Sequence, residues 1–300
     1  MTGGRPRGGR GGAFAMLVVA GVCWSLGFPL GKLALRELTA AHMVLLRFAV
    51  AAAAALPFAV ASAEARALFR SPAVLLAGLL YGLGFLVQFE GLARVSVTLA
   101  ALLVGAMPAL IAVSARLLGE ATGRVTWAGV AGATLGAALI AGDPGGASSL
   151  AGVLLSLASL LLFLGWFYAL KAAPTTSQPL AMPAVTVVVA AIAILPVALL
   201  LHGLPPLDLT AGAWTGIVGQ GLLSTMLATA AWQYGSSRVG SASAGVFINI
   251  EPLMGAVFGV ALFGDRLTLL LAAGGVLILL GSLAVVLGEA PGHDAPPTAA

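Results

Sequence analysis

The chain has 300 residues, of which 60% are hydrophobic and 8% charged, and it carries a formal net charge of +4. Soluble domains hold about a quarter charged residues, so water is excluded as the surroundings of most of this chain. The basic residues are spread thinly between apolar runs, which excludes a nucleic-acid-binding stripe, and the lone Cys23 excludes an internal disulfide or a thiol pair for a metal.

Residues 1–12 are rich in Gly and Arg and form a cytoplasmic tail ahead of the first apolar run. That run is too long for a signal peptide and no small-x-small cleavage site follows before Pro29, so it is read as a retained span. Ten apolar runs follow one another at about 13–34, 41–61, 73–92, 97–118, 125–141, 150–170, 181–201, 211–234, 241–263 and 269–288. Stretches of about 17 to 25 residues cross a hydrocarbon core of roughly 30 Å as helices, whereas a barrel would alternate apolar and polar residues. The fold class expected is therefore an all-α integral membrane protein with ten transmembrane helices. Gly142 to Ser149 is a Gly/Ser/Pro-rich linker between a first unit, 13–141, and a second, 150–288; the tail 289–300 is too poor in apolar residues to pack and is expected to be disordered.

A cytoplasmic N-terminus places nine Lys/Arg residues on the inner side and five on the outer, so the positive-inside rule puts both termini in the cytoplasm. The two units echo one another. Arg94, Val95, Ala100, Pro108, Ala112, Val113 and Leu118 match Arg238, Val239, Ala244, Pro252, Ala256, Val257 and Leu262 at a shift of 144. Gly119-Glu120 then corresponds to Gly264-Asp265, Trp24 to Trp166, and Leu56-Pro57 to Leu195-Pro196. Rare residues in one order indicate a duplication. Five spans per copy is an odd number, so the second copy enters the membrane from the opposite side and the repeats are inverted about an axis in the membrane plane.

Pro108 and Pro252 are matched helix kinks, each removing one backbone hydrogen bond and freeing carbonyls that can line a cavity. Glu251 is the only carboxylate in the middle third of a proposed span. At that depth it must face a cavity, find a partner or take up a proton. Its two readings are a site for protons or a cationic substrate group, and a structural carboxyl bonded near Asn249. Its repeat partner, Met107, is apolar. Trp24, Phe28, Trp166 and Tyr168 lie in the opening helices of the two halves, as cavity lining or interfacial anchors. Gln88 and Gln220 add hydrogen-bonding groups at membrane depth, which serve either a substrate or helix pairing. Lys32 and Arg47, near the outer ends of the first two spans, either snorkel or form an anion-attracting outer vestibule. Glu90 and Arg94 have the spacing of a local ion pair. Glycines four apart, as at Gly132/Gly136 and Gly255/Gly259, mark close helix packing or sliding faces. His42, His202 and His293 lack ligand spacing, and no metal or cofactor is expected.

The chain resembles the EamA-type carriers of the drug/metabolite transporter superfamily. The resemblance rests on Trp24-Ser25-Leu26-Gly27-Phe28-Pro29, Arg47-Phe48, Pro108 through Gly119-Glu120, and Glu251-Pro252 leading to Gly264-Asp265. It covers residues 13 to 288 and departs at Asp265, where the family usually has Glu, and at Ser25, where Gly is common. It implies two EamA repeats, a central cavity, and movement of small metabolites, often outward, across a bacterial inner membrane. The function expected is secondary transport of amino-acid-like or drug-like solutes by alternating access, in the direction of efflux, with the proton as candidate coupling ion and a homodimer as candidate assembly. The partners are the bilayer and a small-molecule substrate. A channel or a non-transporting scaffold is the alternative. An intramembrane enzyme stands third, because no convergent nucleophile and base are in sight.

Overall fold

The computed structural model describes residues 9–119, 122–142, 148–178, 180–236, 238 and 247–288. Within them the chain is helical, and no strand occurs among the described residues. The first half contains α1 (Gly9–Ser25), α2 (Gly27–Ala34), α3 (Ala40–Val60), α4 (Ala63–Leu68), α5 (Pro72–Leu92), α6 (Val97–Val104), α7 (Met107–Leu117) and α8 (Arg124–Gly142). The second contains α9 (Leu150–Lys171), α10 (Ala181–His202), α11 (Ala211–Gly219), a π-helical segment (Gln220–Leu227), α12 (Ala228–Ser236), α13 (Ile250–Phe263) and α14 (Leu269–Gly288).

Helix starts follow hydroxyl caps. Thr39, Ser62, Ser96, Ser149 and Thr210 each sit in extended backbone and accept the amide three residues on, opening α3, α4, α6, α9 and α11, which satisfies one of the orphan N–H groups of a first turn. Stops are set by Gly119 and Gly264, whose φ values of 93° and 65° lie in the left-handed region that favours glycine. The two Gly-acid pairs found in the sequence are thus helix terminators at equivalent places, after α7 and α13.

Eight stretches are long and apolar enough to cross a membrane, and Ile250–Phe263 is a shorter apolar helix. The expected eighth span is helical from Ala211 to Ser236 but interrupted by the π segment. The expected ninth begins at 241, and residues 239–246 lie outside the described ones, as do most of the linker and both tails. One element was absent from the sequence reading: α4, a six-residue helix with Glu64 in its first turn, fills the connection between α3 and α5.

The first and fourth spans are each broken once. Leu26 separates α1 from α2, and Gly105-Ala106 separate α6 from α7 just before Pro108. Proline cannot donate to the carbonyl four residues back, and here the amides of Gly105 and Ala106 turn to Leu102 and Leu103 instead, at 3.0 Å each. Pro252 lies in the first turn of α13, after the turn residue Asn249. Pro57 and Pro196, equivalent in sequence, both sit inside continuous helices, α3 and α10.

The last helices of the two halves meet through glycine. A Cβ on Gly129 would lie 2.5 Å from the carbonyl of Gly281, and one on Gly136 2.5 Å from that of Gly274. In lipid, where apolar helices gain nothing by hiding from the solvent, such backbone approach is what holds helices together.

Candidate functional site

Arg47 is the most buried cation among the described residues. It lies two turns into α3, 2% exposed, with its guanidinium 3.8 Å from the ring centre of Phe85 and 5.4 Å from that of Phe89. The aromatic faces replace part of the hydration that a cation loses in lipid. Its Nε–H donates to Thr225 Oγ1 at 3.0 Å, the Thr225 hydroxyl donates to the carbonyl of Gln220 at 2.9 Å, and Gln220 Nε2 donates to the carbonyl of Gly27. One relay therefore joins the second span, the π segment and the break in the first span. The five-residue reach from Thr225 to Gln220 is the reach of the π turn.

Around the cation stands an aromatic cluster. Tyr81 stacks on Trp166 with centroids 4.9 Å apart, and Phe85 meets Tyr81 at 4.9 Å and Phe163 at 5.0 Å, edge to face. Tyr81, Phe85 and Phe89 follow each other at four-residue spacing on α5, so one face of that helix supplies three rings. Tyr81, Trp166, Met182, Thr186, Thr229 and Gln233 line a cavity of about 40 Å³, which admits a few waters and no metabolite.

Glu251 opens α13 and is half-buried. Its charge reaches Arg47 and Tyr81 through the interior, but the two charges form no ion pair; Glu90–Arg94 is the one ion pair among the described residues. Among the described residues the side-chain hydrogen bond of Arg47 goes to Thr225, so the cation and the carboxylate are present in the two halves without an ion pair between them.

Two more polar groups are stranded nearby. Gln220 and Ser224, 0% and 1% exposed, leave Oε1 and Oγ without partners. Both lie against Gly27, 3.7 and 3.5 Å from where its Cβ would be. The Trp166 Nε1–H is likewise buried without an acceptor.

Of the residues singled out in the sequence, the structure brings Arg47, Trp166, Gln220 and Glu251 to this centre. Trp24 lies against Trp232, centroids 5.3 Å apart, and Phe28 is buried beside Gly255. Gln88 is buried on α5. Tyr168 sits away from the centre, its hydroxyl 2.8 Å from Ser114. Lys32 is held at a helix end: its ammonium donates to the carbonyls of Leu92 and Val95 at 2.6 and 2.7 Å, capping α5. Tyr81, Phe85 and Thr229 were not singled out. The ring spacing on α5 was the signal for the first two; nothing in sequence marks Thr229. His42 and His202 approach to 5.6 Å between ring centres, yet among the described residues no three His, Cys, Asp or Glu side chains gather as for a metal.

Such a fold defines a helical, multi-pass membrane protein. The model of the EamA-like transporter family matches residues 11–142 and again 150–287, and the chain belongs to that family. Among solved structures, fifteen chains match; one, titled only as the crystal structure of a protein, is 19% identical, covers 93% of this chain and 97% of its own, and has a TM-score of 0.63. At that identity the likeness shows the fold alone. No protein with a curated description matches.

Proposed function

We propose that this protein is a secondary carrier that exports small amino-acid-like or drug-like solutes across the bacterial inner membrane by alternating access, with both termini in the cytoplasm. Eight stretches long and apolar enough to cross a membrane and two family repeats support it; in this reading the full set is ten spans in two inverted sets of five, with the π-interrupted helix as the eighth and α13 in the ninth. The single observation that carries the reading is the pair Arg47 and Glu251: a cation buried among aromatic rings in the first half and a carboxylate in the first turn of α13 in the second, with no ion pair between them, a costly arrangement in lipid unless something charged passes between them. Glu251 is the group that takes a proton or a cationic substrate group in turn.

Purified protein in proteoliposomes tests this, with a screen of amino acids and cationic drugs run with and without an imposed pH gradient. Saturable counterflow is expected, and Glu251→Gln is expected to remove its dependence on the gradient. Absence of exchange for every solute, or a Glu251→Gln variant with unchanged affinity and pH dependence, overturns the reading.

A further inference from the structure

A second cavity lies outside the central site. It is a crevice of about 450 Å³ whose floor is α7 and whose walls are α8 and α9, with Leu110, Val113, Val130, Ala133, Leu157 and Leu161 among its lining. The volume is that of a pocket for a drug-sized ligand, but the lining is almost wholly apolar, and the Thr134 hydroxyl on its wall is spent on the carbonyl of Val130 at 2.8 Å. Consecutive helices normally close on each other, yet α8 and α9 share no substantial packing. The crevice therefore splays open toward lipid at the junction of the two repeats.

One end of it is basic. Arg116 is in the last turn of α7, Arg124 is the first residue of α8, and Lys171 is the last of α9. The bond between Ser114 and Tyr168 fixes the C-terminal ends of α7 and α9 side by side, and α8, which packs on α7, starts at Arg124, seven residues after α7 ends at Leu117. All three side chains are exposed, and none forms an ion pair among the described residues. Lys171 lies over the Phe167 and Tyr168 rings at 5.2 and 5.7 Å, which holds its ammonium beside the mouth of the crevice.

We infer that this crevice is a binding site for an anionic phospholipid, one acyl chain lying between α8 and α9 and the phosphate meeting Arg116, Arg124 and Lys171. An apolar slot of membrane depth with cations at one end matches the chemistry of such a lipid from tail to headgroup, and basic pockets between spans recognise anionic headgroups. Arginine adds paired hydrogen bonds to phosphate oxygens. The same end is the one that the positive-inside count places in the cytoplasm. A bound lipid there stitches the last helix of the first repeat to the first helix of the second, which packing alone leaves apart.

Native mass spectrometry of the purified protein tests the site, using phosphatidylglycerol and phosphatidylethanolamine with identical acyl chains. About tenfold greater retention of phosphatidylglycerol is expected, a difference of about 1.4 kcal/mol, from the attraction of an anionic headgroup to the cations. The triple variant Arg116→Gln, Arg124→Gln, Lys171→Gln is expected to bring the two lipids level. Ala158→Phe, an exposed crevice position on α9, blocks the slot with the cations intact and is expected to lower phosphatidylglycerol retention by a similar factor. Equal retention of the two lipids by the parent protein, or unchanged phosphatidylglycerol retention in either variant, overturns the inference.

Discussion

Asp265, from the second repeat, accepts the backbone N–H of Thr98, from the first, at 2.7 Å through Oδ2. The bond satisfies an orphan amide in the opening turn of α6 and puts a carboxylate at the positive end of that helix. Lys32 caps the preceding helix end a few residues away, and its charge is felt by Asp265. Replacing Asp265 by Ala is expected to cost about 1 kcal/mol, the usual loss for a helix cap, read as a lower thermal midpoint in detergent. Asp265→Asn, which keeps an acceptor oxygen, is expected to lose less.

Outside the membrane, two glutamates bind the repeats together. Glu37 accepts the hydroxyl and the amide of Thr210, and Glu64 accepts the hydroxyl and the amide of Ser177. These bonds, the hydroxyl first, hold both carboxyls below their ordinary range. A depressed folded value means that the added stability is complete above the unfolded carboxylate value of about 4.3 and is lost as pH falls through the folded one. Thermal midpoints are thus expected to drop steeply below about pH 4 to 5, and the double variant Glu37→Gln, Glu64→Gln is expected to show a shallower drop.

The relay from Arg47 depends on a single hydroxyl. Thr225→Val keeps the shape and removes both an acceptor and a donor from a buried chain of bonds. A loss of about 1 to 3 kcal/mol is expected from the groups left unsatisfied, seen in denaturant or thermal unfolding, together with slower transport. Arg47→Lys is expected not to substitute, because an ammonium cannot lie flat over Phe85 while donating to Thr225.

Gly119 and Gly264 face open space, with no atom within 4 Å of an added Cβ. Their cost on replacement is therefore one of backbone alone. Gly264→Ala is expected to destabilise by about 1 to 2 kcal/mol, and Gly264→Asn by less, since Asn tolerates left-handed backbone. Unfolding midpoints of the three proteins decide this.

Gly221 and Gly27 should separate steric from polar effects. A Cβ on Gly221 would lie 2.7 Å from Val50 and 3.0 Å from the Arg47 carbonyl, so Gly221→Ala is expected to destabilise by about 1 to 3 kcal/mol and to displace Arg47. A Cβ on Gly27 meets Ser224 and Gln220 at ordinary contact distance. Gly27→Ala is expected to fold with a similar thermal midpoint, its effect confined to transport.

Sequence alone carried the two-repeat pattern because the rare residues serve backbone purposes that cannot be met otherwise: Gly119 and Gly264 end helices, and Pro108 and Pro252 stand at their first turns. Glu251 was singled out by its apolar flanks, and the structure places it in the first turn of α13. What Arg47 does was not legible, because a cation seven residues into a span reads as a rim residue until the rings of α5 and the hydroxyl of Thr225, 178 positions away, are seen around it. Lys32 is the converse case: an apparent vestibule charge turns out to be spent on two carbonyls. The π segment carries no sequence mark at all; within it Gly221 packs against Val50 and the Arg47 carbonyl of α3.

The seam of α8 and α14 has a mechanical meaning. Where glycine carbonyls and amides face each other directly, the separation of two helices is set by main-chain atoms, and no change of rotamer can widen it. This pair is the keel of the molecule. In the carrier proposed above, a motion that opens either face leaves the keel whole and falls instead on the broken first and fourth spans.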